Sequence, residues 1–298
     1  MIPSPQSFSF PSAIGPADRM FGVRILLPPS EGKTWPDSGP ALELRGLSFP
    51  ELTDARRRVL EALIDVSGRD DAAGILKVGK RVMPEVLAQR ELRDMPCAPA
   101  YQVYTGVLFQ AARLHGGDEV MIFSGLFGVT TAEDLIPAYR LSMNTSLPGI
   151  GSLKTFWRRE LTKAGFGRAN CVAKHGTTTD AAIDDSTEVA VETAPNTTVD
   201  MRSGAYQVTT PHGQWWDLRV LDSHGKVVTH AAKHYRGVLT RALLDARHES
   251  QEGHPGVSAD IREHEEPIDV ARVARSLGNV EIVNDGLRHH ITLRLQES

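Results

Sequence analysis

Gly32-Lys33-Thr34 stands behind a short apolar run, Val23 to Leu27, that ends in Pro28-Pro29. Glycine, lysine and threonine in that order are what a phosphate loop uses to cradle a nucleotide. A complete phosphate loop has another glycine five positions before Gly32, where this chain has Leu27, and it opens a helix. Pro36 and Gly39 interrupt any helix here. The nucleotide-hydrolysing pattern is therefore not met. A simpler arrangement remains, in which a flexible loop presents the Lys33 ammonium and the Thr34 hydroxyl to an anion. A solvated turn is the plain alternative.

Four further segments carry polar side chains at suggestive spacing. Tyr101 to Gly106, including Tyr104, reads as the start of a helix capped by Thr105 and ended by Gly116-Gly117. Its free N–H groups would attract an anion, or it is simply a capped helix with a packed tyrosine. Ser124-Gly125-Leu126-Phe127-Gly128 ends a second apolar run and leads through Asp134, Pro137 and Tyr139 to Arg140. The glycines imply backbone held close to a ligand or to another strand. Arg140, in apolar surroundings, requires a carboxylate or phosphate, and Asp134 is the internal candidate.

Leu147-Pro148-Gly149-Ile150-Gly151 precedes a helix over 153–163. It has the form of a helix-hairpin-helix turn, which grips DNA phosphates through the backbone N–H groups around Gly149 and Gly151. An ordinary Pro-Gly turn has the same sequence. Lys233 and Arg236 then fall one turn apart at the start of a predicted helix, away from its apolar stripe. Two cations there oppose the helix dipole. An anionic ligand, or Asp200 and Asp217, would satisfy them, and the first case places them in one cavity with Lys33 and Arg140.

Other chemistries find little support. Of eleven histidines, His248, His254 and His264 sit in a polar stretch, and His289-His290 are neighbours that face opposite ways on a strand. No metal-binding spacing occurs, so the histidines read as incidental and no metal or cofactor is expected. The two cysteines, Cys97 and Cys171, form no CxxC pair and fit buried thiols in a reducing compartment. Net charge is -4, so nucleic-acid binding would depend on a local cationic patch.

The elements that must position these residues are legible in outline. Strands are predicted over 23–27, 120–123, 198–201, 215–221, 227–231, 280–283 and 290–295. Helices are predicted from a Ser48–Glu51 capping box through Val66, from Pro84 to Leu92, over 153–163, from Lys233 to Ala246 and from Pro267 to Leu277. The interleaving lacks regular βαβ alternation, so an α/β fold with one mixed sheet wrapped by helices is expected. Residues 1–19 read as a disordered tail, 20–298 as one domain, and 247–266 as a polar loop. No run approaches a membrane span, which points to a cytoplasmic protein.

Six motifs in order carry a resemblance: ILLPPSEGKT (25–34), VYTGVL (103–108), SGLFGVTTAEDLIPAYRLSM (124–143), LPGIGSLKTFW (147–157), DMRSGAY (200–206) and AAKHYRGVLTRAL (231–243). Together they resemble the YaaA family of peroxide-stress proteins. The resemblance implies an α/β fold with a basic cleft and a helix-hairpin-helix-like element. It also implies duplex DNA binding and a role in limiting iron-linked oxidative damage. The family's recurrent polar positions correspond to Lys33, Thr34, Tyr104, Ser124, Arg140, Ser203, Tyr206, Lys233 and Arg236. The segment 174–198 and the tail before Met20 depart from the family pattern. The partner is duplex DNA, or an anionic small molecule if the Lys, Tyr, Ser and Arg side chains converge in an enzyme pocket acting on a nucleotide, nucleobase or other phosphorylated compound.

Overall fold

A computed structural model describes residues 23–169, 197–252 and 268–296. The tail before Met20, Cys171, His254, His264 and nearly all of the divergent segment 174–198 lie outside the described residues.

The strands are β1 (Val23–Leu27), β2 (Ala98–Pro99), β3 (Val120–Ser124), β4 (Gly128–Thr131), β5 (Leu135–Ile136), β6 (Ser146–Leu147), β7 (Gly151–Ser152), β8 (Arg168–Ala169), β9 (Thr197–Asp200), β10 (Thr209–Thr210), β11 (Trp215–Leu221), β12 (Val280–Asp285) and β13 (Arg288–Arg294). The α-helices are α1 (Thr53–Ser67), α2 (Ala72–Leu76), α3 (Met83–Ala88), α4 (Ala100–Val103), α5 (Val107–Ala112), α6 (Leu153–Lys163), α7 (Thr229–Glu252) and α8 (Val270–Arg275).

Seven strands form the main sheet in the order β12-β13-β11-β9-β1-β3-β4. The pairings β13–β11, β11–β9, β9–β1 and β1–β3 are parallel, and antiparallel β12 and β4 close the two edges. This is the expected mixed sheet with helices around it. Every residue of β3 is buried, as a parallel strand covered on both faces requires. The apolar stripe of α1, from Ala55 through Val59 and Leu63 to Val66, packs into the same core.

The order of these strands makes a crevice. From β1 the next parallel strand along the chain, β3, lies on one side, whereas from β9 the chain goes to β11 on the other. Between β1 and β9 the connections therefore diverge. In open α/β sheets that divergence opens a ligand crevice at the carboxyl ends of the strands.

Several predicted boundaries shift for tertiary reasons. Ser48 does not cap α1: its hydroxyl and N–H both donate to the Asp134 carboxylate, and a 3₁₀ turn over Pro50–Leu52 precedes the helix. The predicted 84–92 helix is α3 followed by a 3₁₀ turn over Gln89–Glu91. Thr105 caps nothing, because α5 begins after Gly106 and ends at Ala112, ahead of Gly116-Gly117. The predicted 227–231 strand reduces to one bridge between Leu221 and Val227. The Asp222 carboxylate accepts from the N–H groups of His224 and Lys226, turning the chain directly into α7.

Helix α7 is longer than predicted at both ends. It begins at Thr229, so Lys233 and Arg236 lie past the first turn and the dipole cost attached to them does not arise. At its far end Arg241 binds Asp118 at 2.9 Å and Arg247 binds Glu119 at 2.6 Å. Residues 247–252 are thus helix rather than polar loop. α8 is shorter than predicted and is capped by the Asp269 side chain, which accepts from the Arg272 N–H. Among the described residues no helix is long and apolar enough to cross a membrane.

Candidate functional site

Three of the sequence motifs come off the same edge of the sheet. β1, β3 and β9 run parallel, so Ser30 to Thr34 after β1, Ser124 at the end of β3, and Arg202 to Tyr206 after β9 all emerge at carboxyl ends. The loop after β1 is then tied down by backbone pairing. The Thr34 N–H donates to the Val103 carbonyl at 2.9 Å, and the Thr105 N–H donates to the Gly32 carbonyl at 3.1 Å. This bridge draws Tyr104 into an extended conformation between α4 and α5. It also presses Gly106 onto Ser30, where an added Cβ would lie 2.2 Å from the Ser30 hydroxyl.

Lys33 occupies the centre of this arrangement. Its ammonium sits 4.5 Å from the centroid of the Tyr139 ring and 5.4 Å from that of Tyr104, and it donates to the Ser30 carbonyl at 2.6 Å. Burial, helped by the neighbouring Arg140 guanidinium, lowers its pKa from 10.5 to about 7, against a weaker pull from Glu31 and Glu85. The Tyr104 and Tyr139 hydroxyls are 2.8 Å apart in a fully buried pair, and the Ser124 hydroxyl bonds to both. Burial raises both phenols well above their ordinary range, so they stay neutral.

Arg140 reaches the site by a chain of buried polar contacts. Ser67 of α1 accepts from the Gln89 amide at 3.1 Å, and Gln89 in turn accepts from the Arg140 N–H. The guanidinium bonds to the Glu85 carboxylate and to the Glu31 carbonyl. Glu85, not Asp134, is therefore its partner. Asp134 is already occupied by Ser48 and by the Thr131 N–H.

From the β9 side, Tyr206 bonds to the Met143 backbone and the Ser142 hydroxyl, and its charge would be felt at Tyr104 and Tyr139. The Ser203 carbonyl accepts from the Tyr206 N–H at 2.7 Å. Lys33, Tyr104, Ser124, Arg140 and Tyr206 are thus brought together, with Ser203 beside Tyr206. Thr34 is exposed at the lip.

Arg236 and Lys233 both lie on α7. Burial lowers the Arg236 pKa, opposed by the charges of Asp200 and Asp217, and its Nε is buried without a partner. Asp200 is held by Arg202 through two bonds of 2.8 Å, and Asp217 by Arg288 and His290. Lys233 is exposed on α7. Lys33 neighbours Arg140, and Arg236 lies in the field of the Asp200 and Asp217 carboxylates.

The sequence reading missed three contributors. Tyr139 forms the face on which Lys33 rests. Arg56 is fully buried on α1 and donates to the carbonyls of Phe127 at 3.0 Å and Val129 at 2.6 Å, holding the turn after Ser124. His290 is not incidental: its Nδ1 lies 2.7 Å from the Asp217 carboxylate, while His289 stacks on Trp216 across the strand. The glycines of the Ser124 turn meet protein rather than ligand, since Gly125 abuts the Leu141 carbonyl and Gly128 abuts the Trp157 ring.

Gly149 and Gly151 lie in the exposed β6–β7 hairpin, both with positive φ, and α6 follows at once. Residues 137–145, in front of the hairpin, are not helical. Burial pushes the Cys97 thiol up to about 11, which suits an inert buried thiol.

The model of the family described as peroxide stress protein YaaA matches residues 23–260. The chain belongs to the YaaA family. A UPF0246 protein of Corynebacterium efficiens is 35% identical over 90% of this chain and 98% of its own length. A UPF0246 protein of Corynebacterium glutamicum is 34% identical over 91% and 98% respectively, and one of Streptomyces coelicolor is 33% identical over 74% and 82%. The match to the YaaA family spans the Lys33 loop, the Tyr104 and Ser124 turns, the hairpin and all of α7.

Proposed function

We propose that this YaaA-family protein acts in peroxide stress as an enzyme on a nucleotide, nucleobase or other phosphorylated small molecule bound around Lys33. One observation carries this reading: the Lys33 amine rests on two buried tyrosine rings, one of them hydrogen-bonded through its hydroxyl to the other. Gripping phosphates along a duplex calls for hydrated, fully charged cations. An amine with a pKa near 7 is about half free base at neutral pH, which suits a proton acceptor or a nucleophile.

The roles follow from position. Arg140 and Thr34 hold an anionic group at the lip. Tyr104, Tyr139 and Ser124 fix the amine from behind, and Ser203 and Tyr206 bound the site on the β9 side. Calorimetric titration with a panel of nucleotides, nucleobases and sugar phosphates tests this. Binding by the parent chain is expected to disappear in Lys33→Ala. A ligand of that class bound equally well by Lys33→Ala overturns the reading.

The second reading, duplex DNA, has its own observation. The hairpin exposes Gly149 and Gly151 in front of α6, which carries Lys154, Arg158, Arg159 and Lys163. On this reading the contacts are to phosphates and tolerate any sequence, and covering the duplex limits iron-linked oxidative damage. Affinity for unrelated duplexes should be similar and should fall steeply with salt. Gly149→Pro together with Lys154→Ala should weaken it, and affinity indifferent to salt would rule the mechanism out.

A further inference from the structure

We propose that Lys33 forms an imine with the carbonyl carbon of a phosphorylated aldehyde or ketone, an open-chain sugar phosphate being the simplest example. This rests on the reading of the Lys33 site as one for phosphorylated small molecules, and it specifies which of them reacts.

The geometry favours a nucleophile over a charge clamp. The amine lies against the Tyr139 and Tyr104 rings, at 4.5 and 5.4 Å, and its hydrogen bond runs to the Ser30 carbonyl, 2.6 Å away. A carbonyl acceptor leaves the nitrogen free to lose its proton, whereas a carboxylate partner would hold that proton in place. The neighbouring cation, Arg140, is ion-paired with Glu85 and bonded to the Glu31 carbonyl, and its charge disfavours a second positive charge at Lys33. A desolvated lysine beside another cation is the arrangement that produces a reactive amine near neutral pH. The Arg140 guanidinium offers a planar donor suited to phosphate. One residue thereby serves both to depress the amine pKa and to hold the anion that marks the substrate.

The step balances without an oxidant or reductant. The nitrogen lone pair of neutral Lys33 adds to the carbonyl carbon, and the carbonyl π pair moves to oxygen. That oxygen takes one of the two amine protons, giving a carbinolamine. It then leaves as water with the second amine proton, and the nitrogen lone pair closes the C=N bond. Amine and carbonyl become imine and water.

Reductive trapping tests this on the intact chain. Ribose 5-phosphate and cyanoborohydride are added across a pH series, and the modified lysines are located by peptide mass spectrometry. Lys33 should be labelled at least tenfold faster than exposed lysines such as Lys163 at pH 7, with a rate that levels off above about pH 7, while the exposed lysines continue to gain up to pH 10. Inorganic phosphate should slow labelling at Lys33 alone. Arg140→Gln should abolish both the phosphate competition and the advantage at pH 7. Labelling of Lys33 no faster than that of Lys163 overturns the imine. If sugar phosphates nonetheless bind the parent chain and fail to bind Lys33→Ala, the small-molecule site stands and only the covalent step falls. If the parent chain binds none of them, the site assignment falls too.

Discussion

The ammonium of Lys33 lies 4.5 Å from the centroid of the Tyr139 ring, although 105 residues of sequence separate loop and ring. Neither residue is unusual for its own segment. Their meeting takes away the water that normally surrounds a lysine and leaves in exchange a weakly attractive ring face. The acidity of the amine follows from that exchange.

Stability should therefore depend on pH through this one group. Lys33 binds its proton less tightly in the folded chain, at about 7, than in the unfolded chain, near 10.5. Between those values the unfolded chain holds more protons, so stability rises with pH, by up to about 1.4 kcal/mol per unit. Below pH 7 the full cost of burying the charge is present. Urea unfolding of the parent and of Lys33→Met at pH 6, 7, 8 and 9 should show the variant more stable at pH 6 and its advantage shrinking as pH rises. Parallel curves for the two proteins would mean that the amine is not desolvated.

Tyr104→Phe removes one hydroxyl from a buried trio and leaves the Tyr139 and Ser124 hydroxyls short of a partner. A loss of about 1–3 kcal/mol of stability is expected for such an unmet group. Ligand binding at the Lys33 site should fall with it. Thermal denaturation and titration on the same sample check the two effects together.

Among the described residues Arg56 is in no ion pair, and it donates to the Phe127 and Val129 carbonyls. Its pKa is nevertheless held down only to about 10, so it remains charged. Arg56→Met should take a donor from the Val129 carbonyl and one of two donors from the Phe127 carbonyl, which keeps the Val129 N–H, at a cost of roughly 1–3 kcal/mol, and loosen the Ser124 turn. Denaturant unfolding gives the stability, and hydrogen exchange at residues 124–129 gives the loosening. A variant as stable as the parent, with unchanged exchange there, would refute the assigned role.

Two glycines in helices should respond oppositely to alanine. At Gly237 of α7 an added Cβ would lie 2.2 Å from the Leu108 carbonyl of α5, so Gly237→Ala must push the two helices apart and should cost about 1–3 kcal/mol. At Gly74 of α2 nothing stands within 4 Å, so Gly74→Ala should stabilise by about 0.5–1 kcal/mol. Melting temperatures of both variants decide it.

Local pattern accounts for what was legible along the chain. The strands 23–27 and 215–221 and the helix 153–163 have the bounds that their apolar runs and periodicity predict. The 227–231 strand gave way to a local turn closed by Asp222, and the Thr105 cap to a distant segment. Val228 continues from a side-chain-closed turn into α7, and Tyr104 is pulled straight by its bridge to Lys33. His290 escaped notice because its partner, Asp217, lies 73 residues away on a neighbouring strand.

The sequence by itself determined the α/β class, the buried strands β1 and β3, and membership of the YaaA family. Those follow from residue type, short-range periodicity and the order of motifs, which are properties of the chain before it folds. Only the tertiary structure decided which polar residues share a site. The parallel register of β9, β1 and β3 aligns three carboxyl ends, so Ser30, Lys33, Ser124 and Tyr206 meet at one edge. Arg236 feels the Asp200 and Asp217 carboxylates, and Glu85 takes Arg140 while Ser48 and Thr131 occupy Asp134. Strand order and competition for partners act across many tens of residues, and no local spacing encodes them.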